Sequence, residues 1–183
     1  ELGLFIVDKG DGSLTFLDKI KEVPLNNLLF HLYRKLPPSS RAIGRVSMAD
    51  YLQTVPSITS RPIRKGKFSQ YFTDDDLQTI RSHNLDFILR FAFGIIRGGI
   101  LNVTPWGVWS FHHDDEEKFR GGPPCFWEMY TGEKLTGAIL QRLTSRLDGG
   151  IVLKKGFVST HRTSYNRSFD NIAFESAPWP AEV

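Results

Sequence analysis

Apolar residues follow two rhythms along this chain, one of strands and one of helices, broken by short polar turns. Leu2–Val7 is an unbroken apolar run that predicts a buried strand, closed by the turn signal Asp8, Lys9, Gly10, Asp11, Gly12. Leu25, Leu28, Leu29, Leu32 and Leu36 then recur at helical spacing between Pro24 and Pro37–Pro38, which predicts an amphipathic helix. Residues 37–72 are rich in Pro, Ser, Arg and Lys and predict one short strand around Val55–Thr59. Thr73 with Asp76 three residues on has the form of a capping box, so a helix should run to about Ser82 and end at His83–Asn84. Leu85–Phe91 is nearly continuous in apolar residues, as a central parallel strand is, and Gly94 and Gly98–Gly99 break the segment after it. A strand over Gly107–His112, a helix from about Pro124 to Tyr130, strands over Leu135–Leu143 and Gly150–Phe157, and a helix from Tyr165 complete the pattern. Strands alternating with helices predict an α/β fold around a mostly parallel sheet, with the last two strands pairing as a hairpin. There is no internal repeat and no clear linker.

One stretch organises the rest. Trp106, Val108 and Phe111 lead without interruption into His112, His113, Asp114, Asp115, Glu116 and Glu117. A packed strand cannot hide that many ionisable groups, so they belong to a loop at the strand's carboxyl end. Open α/β sheets place their ligand crevice there. The loop leaves through Lys118, Phe119, Arg120, Gly121, Gly122, Pro123 and Pro124.

Composition narrows the field. A length of 183 residues suits one domain with a sizeable core. The net charge of +3, from 23 basic against 20 acidic residues, is too small to argue for a nucleic-acid surface. The single cysteine, Cys125, excludes an internal disulfide and a cysteine-rich zinc site. No apolar run is long enough to span a bilayer, so a soluble, cytoplasmic protein is expected. The chain has no initiating Met and stops abruptly at Trp179–Val183, which suggests a piece of a longer protein truncated at both ends, with residues 1–183 forming a single domain.

A histidine at a strand end, a carboxylate on a later glycine-rich turn and backbone donors nearby suit acyl transfer. Asp148, in Arg146-Leu147-Asp148-Gly149-Gly150, is that carboxylate. Metal binding by His112, His113, Asp114 and Asp115 is the competing reading. Adjacent side chains on an extended segment point to opposite sides, which disfavours a shared ion, and no metal is expected. Cys125 fits a small buried hydrophobe better than a nucleophile. The basic cluster Arg61, Arg64, Lys65 and Lys67 could meet a phosphate, although a solvated loop explains it as well. No glycine run has the spacing of a nucleotide-binding loop.

Taken together, Ser110-Phe111-His112, the run KFRGGPP at 118–124 with Trp127, Thr136-Gly137-Ala138-Ile139 and Asp148-Gly149-Gly150-Ile151 form one ordered pattern. It resembles the amino-terminal catalytic domain of the 10-formyltetrahydrofolate-dependent formyltransferases, the group that includes the methionyl-tRNA, glycinamide ribonucleotide and sugar N-formyltransferases. The strong similarity covers about residues 85–157. The resemblance implies a Rossmann-like sheet flanked by helices, whose usual first strand would precede residue 1. It implies that His112 and Asp148 are the catalytic pair and that Ser110 occupies a catalytic position. It also implies that 10-formyltetrahydrofolate is the formyl donor, bordered by Phe91, Phe93, Gly94 and Ile95 together with Asp114, Arg120 and Gly121.

Three departures qualify the resemblance. Ser110 stands where the family has a catalytic Asn, a shorter donor that could weaken the oxyanion contact. The loop reads His-Asp-Asp-Glu-Glu in place of the family's Pro-Ser-Leu-Leu-Pro, so it is acidic, as suits a cationic or amine-bearing acceptor or simply a solvated loop. Gln141 stands where a His is common. The leading expectation is transfer of a formyl group to the amine of a small molecule, an amino sugar above all, with neither nucleic acid nor membrane as partner. The alternative is an inactive domain of the same fold that binds a ligand or docks in a larger glycan-related protein.

Overall fold

The computed structural model describes residues 2–9, 28–33, 39–44, 46–66, 68–91 and 93–183. In chain order the elements are β1 (Phe5–Asp8), α1 (Leu28–Tyr33), α2 (Ala49–Leu52), β2 (Ser57–Ser60), β3 (Ile63–Lys65), β4 (Ser69–Tyr71), α3 (Asp74–Ser82), β5 (Ile88–Arg90) and β6 (Ile95–Arg97). A 3-10 helix (Gly98–Asn102), β7 (Val108–His112), α4 (Phe126–Thr131), β8 (Leu135–Arg142), β9 (Ile151–Ser159), α5 (Tyr165–Ser176) and α6 (Trp179–Glu182) come next. The chain divides into two compact units. One takes the described residues of 1–13, 46–110 and 141–151, the other those of 14–45, 111–140 and 152–183. Among the described residues the strands form three sheets, β1-β2, β3-β4-β6 and β5-β7-β8-β9.

In the first unit β1 runs parallel to β2, with Phe5 opposite Ser57 and Asp8 opposite Ser60. The predicted buried strand is half right. Leu4 and Ile6 turn into the core while Phe5 and Val7 face solvent, because a two-stranded ribbon packs on one face only. β4 pairs antiparallel with β3 and parallel with β6. Helix α3 opens with the expected capping box: Thr73 Oγ1 accepts the Asp76 N–H at 3.2 Å, and the Asp76 carboxylate accepts the Thr73 N–H at 3.3 Å. Leu77 and Ile80, three residues apart on one helix face, pack with Ile96, Ile100, Leu101 and Val108. The predicted long strand over Leu85–Phe91 is a three-residue β5, parallel to β7 and at the end of its sheet order. Beyond it the Phe93 N–H donates to Phe91 O at 2.7 Å.

In the second unit the described part of the leucine-rich helix is α1. Leu29 and Leu32 are exposed, and the packing falls to Phe30, whose ring meets Phe126 and Tyr165 edge-on at 5.3 and 4.9 Å. Leu25 and Leu36 lie outside the described residues. α5 begins at Ser164, whose hydroxyl accepts the Arg167 N–H at 3.3 Å, and buries Tyr165, Ser168 and Ile172 on one side. β8 and β9 are sheet neighbours joined by residues 143–150. That connection is too short for a parallel crossover, so the pair is the expected hairpin.

Candidate functional site

In the first unit Arg90, the last residue of β5, stands in register with Ser110, the third residue of β7. Its Nη1 donates to Ser110 Oγ at 3.0 Å, and its Nη2 donates to the carbonyls of Phe93 and of Gly94, the latter at 2.9 Å. Arg90 Nε is buried and meets no acceptor among the described residues. Burial lowers the Arg90 pKa from its usual value. Ser110 is itself buried, and its hydroxyl meets a half-buried guanidinium. A cavity of about 400 Å³ opens beside them, lined by Asp8, Arg64, Phe68, Ser69, Gln70, Arg90, Gly94 and Ile95.

Gln70 organises that cavity. Its amide donates to Asp8 Oδ2 at 3.1 Å and accepts the Gly94 N–H at 2.6 Å. A Cβ on Gly94 would lie 3.0 Å from both Gln70 Oε1 and Phe68 O, which is why glycine occupies the position. Of the four residues expected along the donor, Gly94 and Ile95 line the cavity, Phe93 packs on Phe72 at 5.5 Å between ring centroids, and Phe91 is exposed.

Asp148 also belongs to the first unit. It is exposed, with φ +52°, on a turn closed by the Gly149 N–H to Arg146 O at 3.3 Å and by Thr144 Oγ1 to Gly149 O at 2.8 Å. A Cβ on Gly150 would fall 2.1 Å from Gln141 Oε1, so the glycine lets Gln141 lie against the turn.

His112, the end of β7, belongs to the second unit. Its Nε2 stands 3.9 Å from Asp114 Oδ2, and its side chain is 29% exposed. His113 turns the other way, as neighbouring positions on an extended segment must, and its Nε2 is 3.0 Å from Ser176 Oγ. Burial, helped by nearby His112, drives the His113 pKa down to about 4.

The acidic loop departs from a solvated or open one. Asp114 is 2% exposed, and its Oδ1 accepts the Cys125 N–H at 2.6 Å. The Asp115 N–H donates to Glu128 Oε1 at 3.2 Å, and Glu128 is wholly buried. Lys155 Nζ, from β9, reaches Asp115, Glu116 and Glu117 at 3.1, 3.1 and 3.3 Å. Burial opposes the Lys155 charge, but hydrogen bonds to these three carboxylates outweigh it and raise its pKa. The charges therefore serve the loop itself. Gly137 belongs to the same construction: a Cβ there would meet Asp115 Cα at 2.9 Å and Asp115 N at 3.0 Å, so β8 presents glycine where the loop crosses it.

Burial and the charges of Asp114 and Glu128 raise the Cys125 pKa, and its thiol is wholly enclosed, as expected of a small hydrophobe. Arg120 and Gly121 are exposed. Among the described residues no cluster of three or more metal-ligating side chains occurs, and no helix is long and apolar enough to cross a membrane.

Three participants carry little or no signal in the sequence. Glu128 sits in the aromatic run Phe126–Tyr130, where a lone carboxylate among large apolar residues is the available signal. Lys155 follows Lys154 in a strand and reads as one more surface cation. Gln70 carries no motif at all.

The sheets, with helices between their strands, define a Rossmann-like α/β fold of formyltransferase type. Glycinamide ribonucleotide transformylase 1 from Symbiobacterium toebii superposes with a TM-score of 0.58 at 15% identity, over 73% of this chain and 63% of that one. A formyltetrahydrofolate deformylase from Pseudomonas syringae pv. tomato superposes with a TM-score of 0.56 at 15% identity, over 96% of this chain and 57% of that one. In sequence, the methionyl-tRNA formyltransferase of Agathobacter rectalis is 29% identical over 104 residues, 56% of this chain and 34% of that protein. The chain thus matches about a third of the length of that relative. No family model matches it. In sequence and in fold the chain is thus similar to formyltransferases.

Proposed function

We propose that this chain supplies the catalytic part of an enzyme that moves a formyl group from 10-formyltetrahydrofolate to the amine of a small molecule, an amino sugar above all. The observation that carries the reading is the placement of the ordered motifs. Ser110 and His112 lie at the end of β7, KFRGGPP comes after them in the loop, Gly137 is the residue of β8 against which that loop packs, and Asp148 stands on the turn into β9. A sequence relative named a methionyl-tRNA formyltransferase supports formyl transfer. Gly94 and Ile95, at the wall of a cavity that also offers the Phe68 ring, fit a flat conjugated ligand edge, while Arg64, Gln70 and Arg90 fit a ligand rich in hydroxyl or phosphate oxygens.

10-Formyltetrahydrofolate would supply the activated formyl carbon. His112 stabilises the negative charge that develops on the formyl oxygen as the amine attacks, and Ser110, backed by the Arg90 guanidinium, adds a polarised hydroxyl. Asp148 takes the proton that the amine sheds, directly or through water, as the new C–N bond forms, and that proton passes to the donor nitrogen as its bond to the formyl carbon breaks. Gly94 and Ile95 border the donor.

The test incubates the full chain with 10-formyltetrahydrofolate and a panel of amino-sugar nucleotides, following tetrahydrofolate release. Acceptor-dependent release, lost in His112→Ala and in Asp148→Asn, is the expected result; Asn tolerates the left-handed backbone at position 148. Donor binding without turnover on any acceptor would overturn catalysis, and release without an acceptor would overturn transfer in favour of hydrolysis.

A further inference from the structure

We propose that Arg97 is a positioning residue for Asp148, tying the turn that carries this carboxylate to the wall of the cavity. The proposal rests on the reading of Asp148 as the group that takes the amine's proton. Arg97 is the last residue of β6. Its neighbour Ile96 turns into the core, so the alternation of a strand sends Arg97 the other way, where it is half-buried. There its guanidinium spans two segments. Nε donates to Ser69 Oγ of β4 at 3.3 Å, and Nη1 donates to Ser145 O at 2.9 Å. Ser69 lines the cavity, and Ser145 stands on the turn between β8 and β9, just ahead of Asp148. A planar guanidinium fixes the direction of both bonds at once, which a compact ammonium on a flexible stem does not.

The turn gains from such a hold. Ser145, Arg146, Leu147 and Asp148 are all exposed, so packing does little to place them. Asp148 also takes a left-handed backbone, φ +52°, a conformation that an L-residue keeps only where its surroundings impose it. Within the turn, Thr144 Oγ1 donates to Gly149 O at 2.8 Å and the Gly149 N–H donates to Arg146 O at 3.3 Å. These bonds shape the turn without fixing it to the sheet, since each runs from one part of it to another. Its two ends are held from outside. The Leu143 N–H donates to Val108 O at 2.7 Å, and Gln141 lies against Gly150, where an added Cβ would fall 2.1 Å from Gln141 Oε1. Arg97 holds the middle, through the carbonyl of Ser145. A proton acceptor displaced by about an ångström can lose up to about a hundredfold in rate. Arg97 should therefore act on kcat and not on the affinity for the donor.

The test compares the full chain with its Arg97→Gln variant, reading both the turn and the reaction. Backbone NMR relaxation should show the order parameter at Asp148 and Gly149 falling from about 0.85 to below about 0.6 in Arg97→Gln, with α3 unchanged. Tetrahydrofolate release should slow roughly tenfold to a hundredfold in kcat, while the Kd for 10-formyltetrahydrofolate stays the same. Unchanged order at Asp148 would overturn the proposal. So would a fall in kcat matched by an equal weakening of donor binding, since Arg97 would then act through the cavity and not through Asp148. Should Arg97→Gln fail to fold, Arg97→Lys keeps the charge without the planar fork and carries the same comparison, with a smaller loss in the same direction. Order lost at Asp148 alongside a wild type that transfers no formyl group to any acceptor would uphold the hold of Arg97 on the turn. It would overturn the catalytic reading of Asp148, so the two failures are told apart.

Discussion

At the scale of single residues Ser110, which stands where the resemblance expects Asn, acquires a physical context. A serine hydroxyl alone is a modest oxyanion donor, but here it accepts from Arg90, and a hydroxyl that accepts from a cation becomes a stronger donor in turn. Arg90 is partly desolvated, with Nε lacking an acceptor among the described residues, so it depends on the acceptors it does have. Ser110→Ala takes one away from a half-buried cation. We expect it to destabilise the protein by about 1–3 kcal/mol and to lower kcat by roughly tenfold to a thousandfold. Urea denaturation and steady-state kinetics on the same preparation check both. Unchanged stability would mean that the Arg90–Ser110 contact contributes nothing, whatever the kinetics show.

At the scale of elements, what could be read from the sequence was what the chain encodes locally. The capping box before α3, the apolar run of β7, the polar loop after it and the hairpin of β8 and β9 each announce themselves within a dozen residues. The sheet β3-β4-β6 does not. Its three-residue strands hold almost no periodicity, and β4 finds β6 across α3 and β5. The acidic loop shows the same limit. Four consecutive carboxylates read as solvated because their partners, Glu128 and Lys155, lie in later elements that no local pattern links to them. Gly137 is where the two scales meet, for the glycine is explained by the Asp115 backbone passing over it. Gly137→Ala must push Asp115 away, at a cost of about 1–3 kcal/mol. The displacement should weaken the bond between the Asp115 N–H and Glu128. Hydrogen exchange at Asp115, measured beside global stability, should rise more than the stability loss alone explains. Equal change at Asp115 and at the Ala138–Leu140 amides would leave the loop contact without a special role.

At the scale of the whole molecule, His113 and Asp114 impose opposite pH dependences, and their sum is an observable. The folded His113 pKa is depressed to about 4 from 6.5, so between those values the unfolded chain binds the extra proton and stability rises with pH. The folded Asp114 pKa is raised to about 8 from 3.8, so across that range the folded chain binds the extra proton and stability falls as pH rises. From about pH 4 to 6.5 the two slopes cancel. From 6.5 to 8 only Asp114 acts, and stability should decline by up to about 1.4 kcal/mol per pH unit. The other shifted carboxylate and lysine lie outside this window: hydrogen bonds from Ser40, Ala42 and Arg41 overcome burial to hold Asp170 low, and Lys155 is raised above 10.5. Urea midpoints measured from about pH 4.5 to 8.5 should therefore trace a plateau and then a fall. Asp114→Asn removes one of the two slopes, so its stability should instead rise to about pH 6.5 and then level off. Parallel curves for the two proteins would mean that Asp114 titrates alike in the folded and unfolded chain, and that the carboxyl facing His112 is an ordinary carboxylate.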